Sequence, residues 1–262
     1  MTWIEIVVLI ISGLLVGFIN TLAGGGSIIS LSILMFLGLP ANVANGTNRV
    51  AIFIQSIAAV GSFKQQKVLD QKKGFWLAIP ATIGSIIGAW IAIDLNEKII
   101  EKAIAIVMLV MLFVILYKPQ RWLKGKKELQ DKKVTVGQFV LFFFIGIYGG
   151  FLHMGVGYAL LAGIVLGAGY DLVKANAIKV FIILIWSPVI LAVFLIHGQV
   201  NIYYGLVLSI GNVAGALIAS RLAVKKGANF VRWVIVAVIL LTIAHVFGLI
   251  DIQSALQNVI QK

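Results

Sequence analysis

Apolar positions along this chain gather into runs longer than most soluble helices need, at about 3–22, 27–39, 43–63, 74–93 and 99–117, and again at about 134–152, 156–169, 175–195, 201–220 and 229–249. The pattern predicts an all-α fold of about ten hydrophobic helical segments, five on each side of a polar stretch dense in Lys and Arg from Lys118 to Lys133. Three regions follow: 1–117, a basic linker at 118–133, and 134–262. The second run of each half is short, since ~13 residues at 1.5 Å rise cover about 20 Å against about 30 Å of hydrocarbon. Each short run follows a Gly-rich break. Non-helical backbone at membrane depth survives only where protein or a water-filled cavity satisfies its polar groups, so the first two segments of each half predict a broken or re-entrant hairpin. About six full crossings accompany the two hairpins, with both termini outside.

The halves also share their polar punctuation. The first carries Gly24-Gly25-Gly26-Ser27 and then Asn45-Gly46-Thr47-Asn48-Arg49; the second carries His153-Met154-Gly155-Val156-Gly157 and then Lys174-Ala175-Asn176-Ala177-Ile178-Lys179. Gly84-Ser85-Ile86-Ile87-Gly88-Ala89 resembles Gly211-Asn212-Val213-Ala214-Gly215-Ala216 about 127 positions later, and Arg49-Val50 returns as Lys179-Val180 after about 130. The Gly84/Gly88 and Gly211/Gly215 pairs have the small-xxx-small spacing that lets helices approach closely. Lys64, Lys67, Lys72 and Lys73, the linker, and Arg221, Lys225 and Lys226 mark inside loops. His197-Gly198-Gln199-Val200-Asn201, the counterpart of the Lys64–Lys73 loop, has no Lys or Arg and is expected outside. The two five-segment repeats are therefore expected to be inverted. Duplicated broken helices of this kind place a substrate site between the halves of a transporter.

Composition narrows the function classes. Of 262 residues, 61% are hydrophobic and 11% charged, with a mean hydropathy of +1.08. A soluble globule of this composition would expose large apolar patches, so the chain reads as a multi-pass membrane protein with the lipid bilayer as its partner. The net charge of +12 resides in short loops, where it orients segments and offers no single face to nucleic acid. There is no cysteine, no His/Cys/carboxylate cluster of metal-ligand spacing and no nucleophile–base–acid set, so no cofactor, metal or enzymatic activity is expected.

The placement of charge points to the chemistry. All nine acids, Glu5, Asp70, Asp94, Glu97, Glu101, Glu128, Asp131, Asp171 and Asp251, fall in loops or at segment ends. Arg49 and Lys179 lie inside apolar segments without an acidic mate, although burying a cation there costs several kcal/mol. Snorkelling to the nearer interface is one way out. Under inversion, however, the two enter from opposite sides and converge on the centre, where a transported anion can supply the missing charge. A helix starting at Ser27 directs N–H groups and a partial positive charge at whatever precedes it, Gly24, Gly25 and Gly26 permit close backbone approach, and the Ser27 hydroxyl adds a donor. The second turn offers Gly155, Gly157 and His153, which can bind an anion, carry a proton, or sit as a neutral ring on a carbonyl. Thr47, Asn48 and Asn176 flank the cations; Asn45 and Gln55 fit interhelical hydrogen bonding as well as substrate contact. Asn42 and Asp171 are expected as N-caps. With no carboxylate at mid-membrane, electrogenic export is the simpler form of coupling, and a proton relay would have to use His153 or water.

Through Asn20-Thr21-Leu22-Ala23-Gly24-Gly25-Gly26-Ser27, Asn45-Gly46-Thr47-Asn48-Arg49 and the Gly149-Gly150 to Gly157 turn, the chain resembles the sulfite exporter (TauE/SafE) family of membrane permeases. The similarity extends over essentially the whole chain, although Asn176-Ala177-Ile178-Lys179 departs from the Gly-Thr-Asn-basic motif of the first half. The resemblance implies a cell-membrane permease for small sulfur-containing anions such as sulfite or sulfonates, or related carboxylates, moved outward. An anion channel, a non-transporting membrane scaffold and assembly as a homo-oligomer are each compatible with the same sequence.

Overall fold

The computed structural model describes residues 1–93, 124–151 and 153–246. The expected apolar segment at 99–117, and the linker before residue 124, lie outside the described residues.

Every described element is helical. Helix α1 (Trp3–Leu22) opens with a Thr2/Glu5 capping box and ends at Ala23 and Gly24, both of whose N–H groups donate to Ile19 O. Helix α2 (Ser27–Phe36) has only 10 residues, about 15 Å of rise, and so falls well short of a bilayer. Helix α3 (Ala41–Gln65) follows Pro40, and α4 (Gln71–Ala92) is capped by Asp70, whose carboxylate accepts from Lys73 N. After a single turn, α5 (Lys127–Gln130), come α6 (Val136–Phe151), α7 (Val156–Ala162) running into a π turn at Gly163–Gly167, α8 (Leu172–Ile196) and α9 (Ile202–Val246). Four of these, α1, α4, α8 and α9 over Ile202–Leu241, are long and apolar enough to cross a membrane. Helix α3 has the length, 25 residues, but carries buried Asn45, Thr47, Asn48, Arg49, Gln55 and Ser56 on its inner side.

The expected break between the runs at 201–220 and 229–249 is present: the helix that starts at Ile202 continues through Arg221–Lys226 and is interrupted at Gly227 (φ 79°, ψ −177°), beyond which a second helical stretch follows. One expectation is corrected. Asn42 is not the cap of α3: Pro40 holds that place with φ −55° and ψ 150°, and Asn42 lies in the first turn with its Oδ1 on Val43 N at 2.9 Å. Asp171 does cap α8, accepting from Val173 N and Lys174 N.

Packing is crosswise. Helix α1 lies along α9 and α6 along α4, while α3 and α8, which also meet each other, pack on α9 and α4 respectively. Small residues set the first two contacts. A Cβ on Gly13 or Gly17 of α1 would stand 2.5 Å from Leu208 O or 2.1 Å from Asn212 O of α9, and one on Gly211 or Gly215 would stand 2.0 Å from Ile10 O or Leu14 O. At the other contact, a Cβ on Gly146 or Gly150 of α6 would stand 2.1 or 2.0 Å from Ala81 O or Ser85 O of α4, and one on Gly84 or Gly88 would stand 2.0 or 1.9 Å from Phe143 O or Ile147 O. Without strong hydrophobic drive between helices in lipid, such backbone proximity supplies the dispersion energy that holds them.

The ends of the bundle differ in charge. At one end Tyr170 donates to Asp70 Oδ2 (2.5 Å), Lys126 N to Gly169 O (2.6 Å), and the Lys73 ammonium to Gln130 O and Lys132 O, which gathers three Lys-rich segments. The opposite end joins Asn201 N to Thr47 Oγ1 (2.9 Å) and stacks Trp90 edge-on to His197 at 5.2 Å.

Candidate functional site

The two Gly-rich breaks meet. Gly24 closes α1 with φ +99°, and its Cα faces that of Gly157 so closely that a Cβ on either would lie 2.4 Å from the other. Only hydrogen at both positions permits this approach, and a left-handed φ at Gly24 adds a second reason for glycine. Gly25 lies under the Tyr158 hydroxyl and Gly26 against Val16 O, where a Cβ would come to 2.3 and 2.8 Å. Gly155, at φ 75°, turns the chain into α7. Four helix ends thereby converge: the C-termini of α1 and α6 and the N-termini of α2 and α7.

Arg49 and Lys179 are both buried at this crossing, 1% and 0% exposed, and neither snorkels. Each reaches across to the other half. Arg49 Nη1 donates to Gly149 O and Nη2 to Gly150 O, both at 3.0 Å, at the C-terminus of α6. Lys179 Nζ donates to Asn20 O (3.0 Å) and Thr21 O (2.9 Å) at the C-terminus of α1, and to Asn176 Oδ1 (2.7 Å) on its own helix. Helix C-termini leave carbonyl oxygens without intrahelical donors and carry about half a negative charge, which makes them partners for cations. Lys179 thereby uses all three of its N–H groups. Arg49 Nε has no hydrogen-bond partner among the described residues, and the guanidinium lies over the Phe194 ring at 5.7 Å.

The polar neighbours fall into three sets. His153 places Nδ1 3.4 Å from Arg49 Nη1, and since arginine only donates, the ring nitrogen accepts. Asn48 Oδ1 (2.8 Å) and Ser27 O (3.1 Å) share the single Ser30 hydroxyl proton, and Ser27 Oγ accepts from Asn20 Nδ2 at 3.4 Å. Gln55 bridges Thr21 Oγ1 (3.4 Å) and Asn212 Nδ2 (3.1 Å), tying α3 to α1 and α9. Thr47 is not brought to the crossing; its hydroxyl serves the turn between α8 and α9. A cavity of about 10 Å³ remains at the centre, lined among others by Asn20, Gln55, Ser56 and His153, with Gly24 and Gly157 at its sides. That is room for about one water.

The dipole ends cancel among themselves, two helix C-termini against two N-termini, which leaves the side chains of Arg49 and Lys179 to set the charge at the crossing. Among the described residues, no carboxylate enters the bundle: Glu5, Asp70 and Asp171 serve caps, and Glu128 and Asp131 lie in and just after α5. No group of three or more His, Cys, Asp or Glu that could hold a metal occurs among them either. The sequence reading overlooked the carbonyls of Asn20, Thr21, Gly149 and Gly150, along with Tyr158 and Trp186, both fully buried and each with its polar atom unpartnered among the described residues. Trp186 had a usable signal, because a tryptophan in mid-segment departs from its usual interfacial place.

A family model for the sulfite exporter TauE/SafE matches residues 9–246. Over 232 residues the chain is 28% identical to a probable membrane transporter protein, ORF9, of a Sinorhizobium species, covering 88% of this chain and 87% of that one. Similarity of 25%, covering 86% and 87%, relates it to a probable membrane transporter protein of Haemophilus influenzae, and of 29%, covering 88% and 85%, to the probable membrane transporter protein YfcA of Escherichia coli K12. No solved structure matches the chain.

Proposed function

Because the chain belongs to the sulfite exporter TauE/SafE family and is thus a multi-pass membrane transporter, we propose that it carries a small sulfur-containing oxyanion, sulfite or a sulfonate, across the cell membrane. The observation that carries this reading is the burial of Arg49 and Lys179 where four helix ends meet, with carbonyl oxygens and no carboxylate among the described residues as their partners. Carbonyl dipoles hold Arg49 and Lys179 in place without neutralising them, so an anion entering the crossing gains Coulomb energy that a neutral solute does not.

The proposed substrate contacts are Arg49, Asn48 and Ser27 from the first half and His153, Lys179 and Asn176 from the second. Gly24, Gly25, Gly26, Gly155 and Gly157 allow the backbone to come close, and Thr47 fixes the outer turn. Two inverted halves, 1–117 and 134–262, rock about the crossing, with the basic linker at 118–133 and its neighbouring lysines on the cytoplasmic side and both termini outside. Support for a carrier over a channel comes from the cavity of about 10 Å³, which is too small for an oxyanion until the halves part. The activity is transport without catalysis.

Flux of sulfite and of methanesulfonate into proteoliposomes tests the reading, with wild type set against Arg49→Ala. Saturable flux that falls at least tenfold in the folded variant is the expected outcome. Flux indifferent to Arg49→Ala would remove that residue from the mechanism, and absence of flux and of binding for every anion tried would favour a scaffold.

A further inference from the structure

We propose that His153 binds a proton together with the transported anion, so that the two move as a pair; the inference rests on the anion-carrier reading above. Arg49 Nη1 and a proton are rivals for one lone pair. The guanidinium, 3.4 Å from His153 Nδ1, can only donate, so Nδ1 accepts and the ring hydrogen sits on Nε2. A proton arriving at the ring must therefore bind Nδ1, which requires Arg49 to withdraw. Arg49 does so only if something else takes its N–H, and an oxyanion placed between the two groups accepts from the guanidinium and from the newly formed Nδ1–H at once.

The surroundings make the anion a condition for that exchange. The cations whose fields reach the ring are Arg49 on α3 and Lys179 on α8. Lys179 is tied to Asn20 O, Thr21 O and Asn176 Oδ1 and does not retreat as a free side chain would. The other titratable groups near the turn are Tyr148 on α6, whose hydroxyl donates to Met154 O, and Tyr158 on α7. Helix α1 contributes neutral Asn20, and α3 adds neutral Gln55 and Ser56 to the cavity wall that His153 shares. Among the described residues no carboxylate faces His153, so a second cation beside Arg49 is tolerated only with an anion present. The cycle balances. The proton adds to Nδ1 as the anion binds on one side of the membrane, and on the other side the anion departs, the proton leaves Nδ1 for water, and Arg49 reoccupies the lone pair. Reciprocity requires that protons tighten anion binding by the factor by which the anion tightens proton binding.

The experiment uses methanesulfonate, which carries no titratable proton near neutral pH, and the full chain in detergent. Calorimetric titration in two buffers of different ionisation enthalpy reads the protons taken up per anion bound. Net uptake approaching one proton, with affinity rising roughly tenfold for each unit by which the pH is lowered on the alkaline side of the ring's titration, is the expected result. In H153Q, whose amide oxygen can still accept from Arg49, binding weakens and loses both the uptake and the pH dependence. As a second readout, an acid-inside gradient should drive sulfonate out of proteoliposomes held at zero potential with valinomycin and equal potassium, and should not in H153Q. Binding without proton uptake, or uptake that persists in H153Q, overturns the coupling and leaves the carrier reading intact. Absence of binding by methanesulfonate and by sulfite overturns both.

Discussion

Arginine at position 49 and lysine at position 179 occupy corresponding places and do different work. The guanidinium spans two successive carbonyls, Gly149 O and Gly150 O, with one nitrogen each, and still lies within reach of His153. A lysine can serve two successive carbonyls, as Lys179 does, but it lacks the planar, two-nitrogen fork that lets Arg49 meet them with one nitrogen each. Arg49→Lys is therefore expected to lose one of the contacts to Gly149 O, Gly150 O and His153 and to cost about 1.5–3 kcal/mol, the range for a hydrogen bond to a charged group. Chemical or thermal unfolding in detergent measures it, and a variant as stable as wild type would show that the fork is dispensable. The cations, the two turns and the place of the described acids at caps and loops could all be read from residue identity. Their partners could not, because four backbone carbonyls have no letter in a sequence, and only the spatial arrangement of helix ends identifies them.

Elements here are specified by where glycine sits as much as by where leucine does. Gly157 has an ordinary φ, so Gly157→Ala carries no backbone penalty, yet its Cβ would stand 2.4 Å from Gly24 Cα. Backbone cannot swing aside as a flexible side chain does, so the turns must separate. Gly157→Ala is expected to destabilise by several kcal/mol and to abolish transport. Gly61, in α3 with open space around its Cα, supplies the contrast: Gly61→Ala should be neutral or stabilise by about 0.5–1 kcal/mol through a less flexible unfolded chain. Thermal unfolding of the pair separates crowding from helix propensity, and equal shifts in the two variants would count against the crossing as a tight contact. The small-xxx-small pairs Gly84/Gly88 and Gly211/Gly215 were legible as packing faces, and the structure bears them out. The break between the last two apolar runs was legible, but its place was not: the helix runs on through Arg221–Lys226 to Gly227, because charge at a membrane surface ends an apolar run without ending a helix.

At the scale of the molecule, the packing gives one centre and two different ends. Arg49 is anchored on α6 and Lys179 on α1, so under the proposed rocking motion both anchors would be pulled, and the end contacts would decide which side opens. The basic end is held by bonds between distant segments: Tyr170 to Asp70, Lys126 to Gly169, and Lys73 to Gln130 and Lys132. Burial, and then the Asp70 carboxylate, hold the Tyr170 phenol above its ordinary range, so it remains a donor throughout neutral pH. Tyr170→Phe removes one hydrogen bond to a carboxylate, about 1.5–3 kcal/mol, and every 1.4 kcal/mol is tenfold in a population. The chain has no cysteine, so a single Ser56→Cys in the cavity wall reports access without background. A membrane-impermeant thiol reagent applied from the basic side should modify Ser56→Cys about tenfold faster when Tyr170→Phe is also present, and no faster from the opposite side. If the rate from the basic side does not change, the Tyr170–Asp70 contact is a structural tie and the gate lies elsewhere. Acceleration from both sides would mean that the crossing itself had loosened.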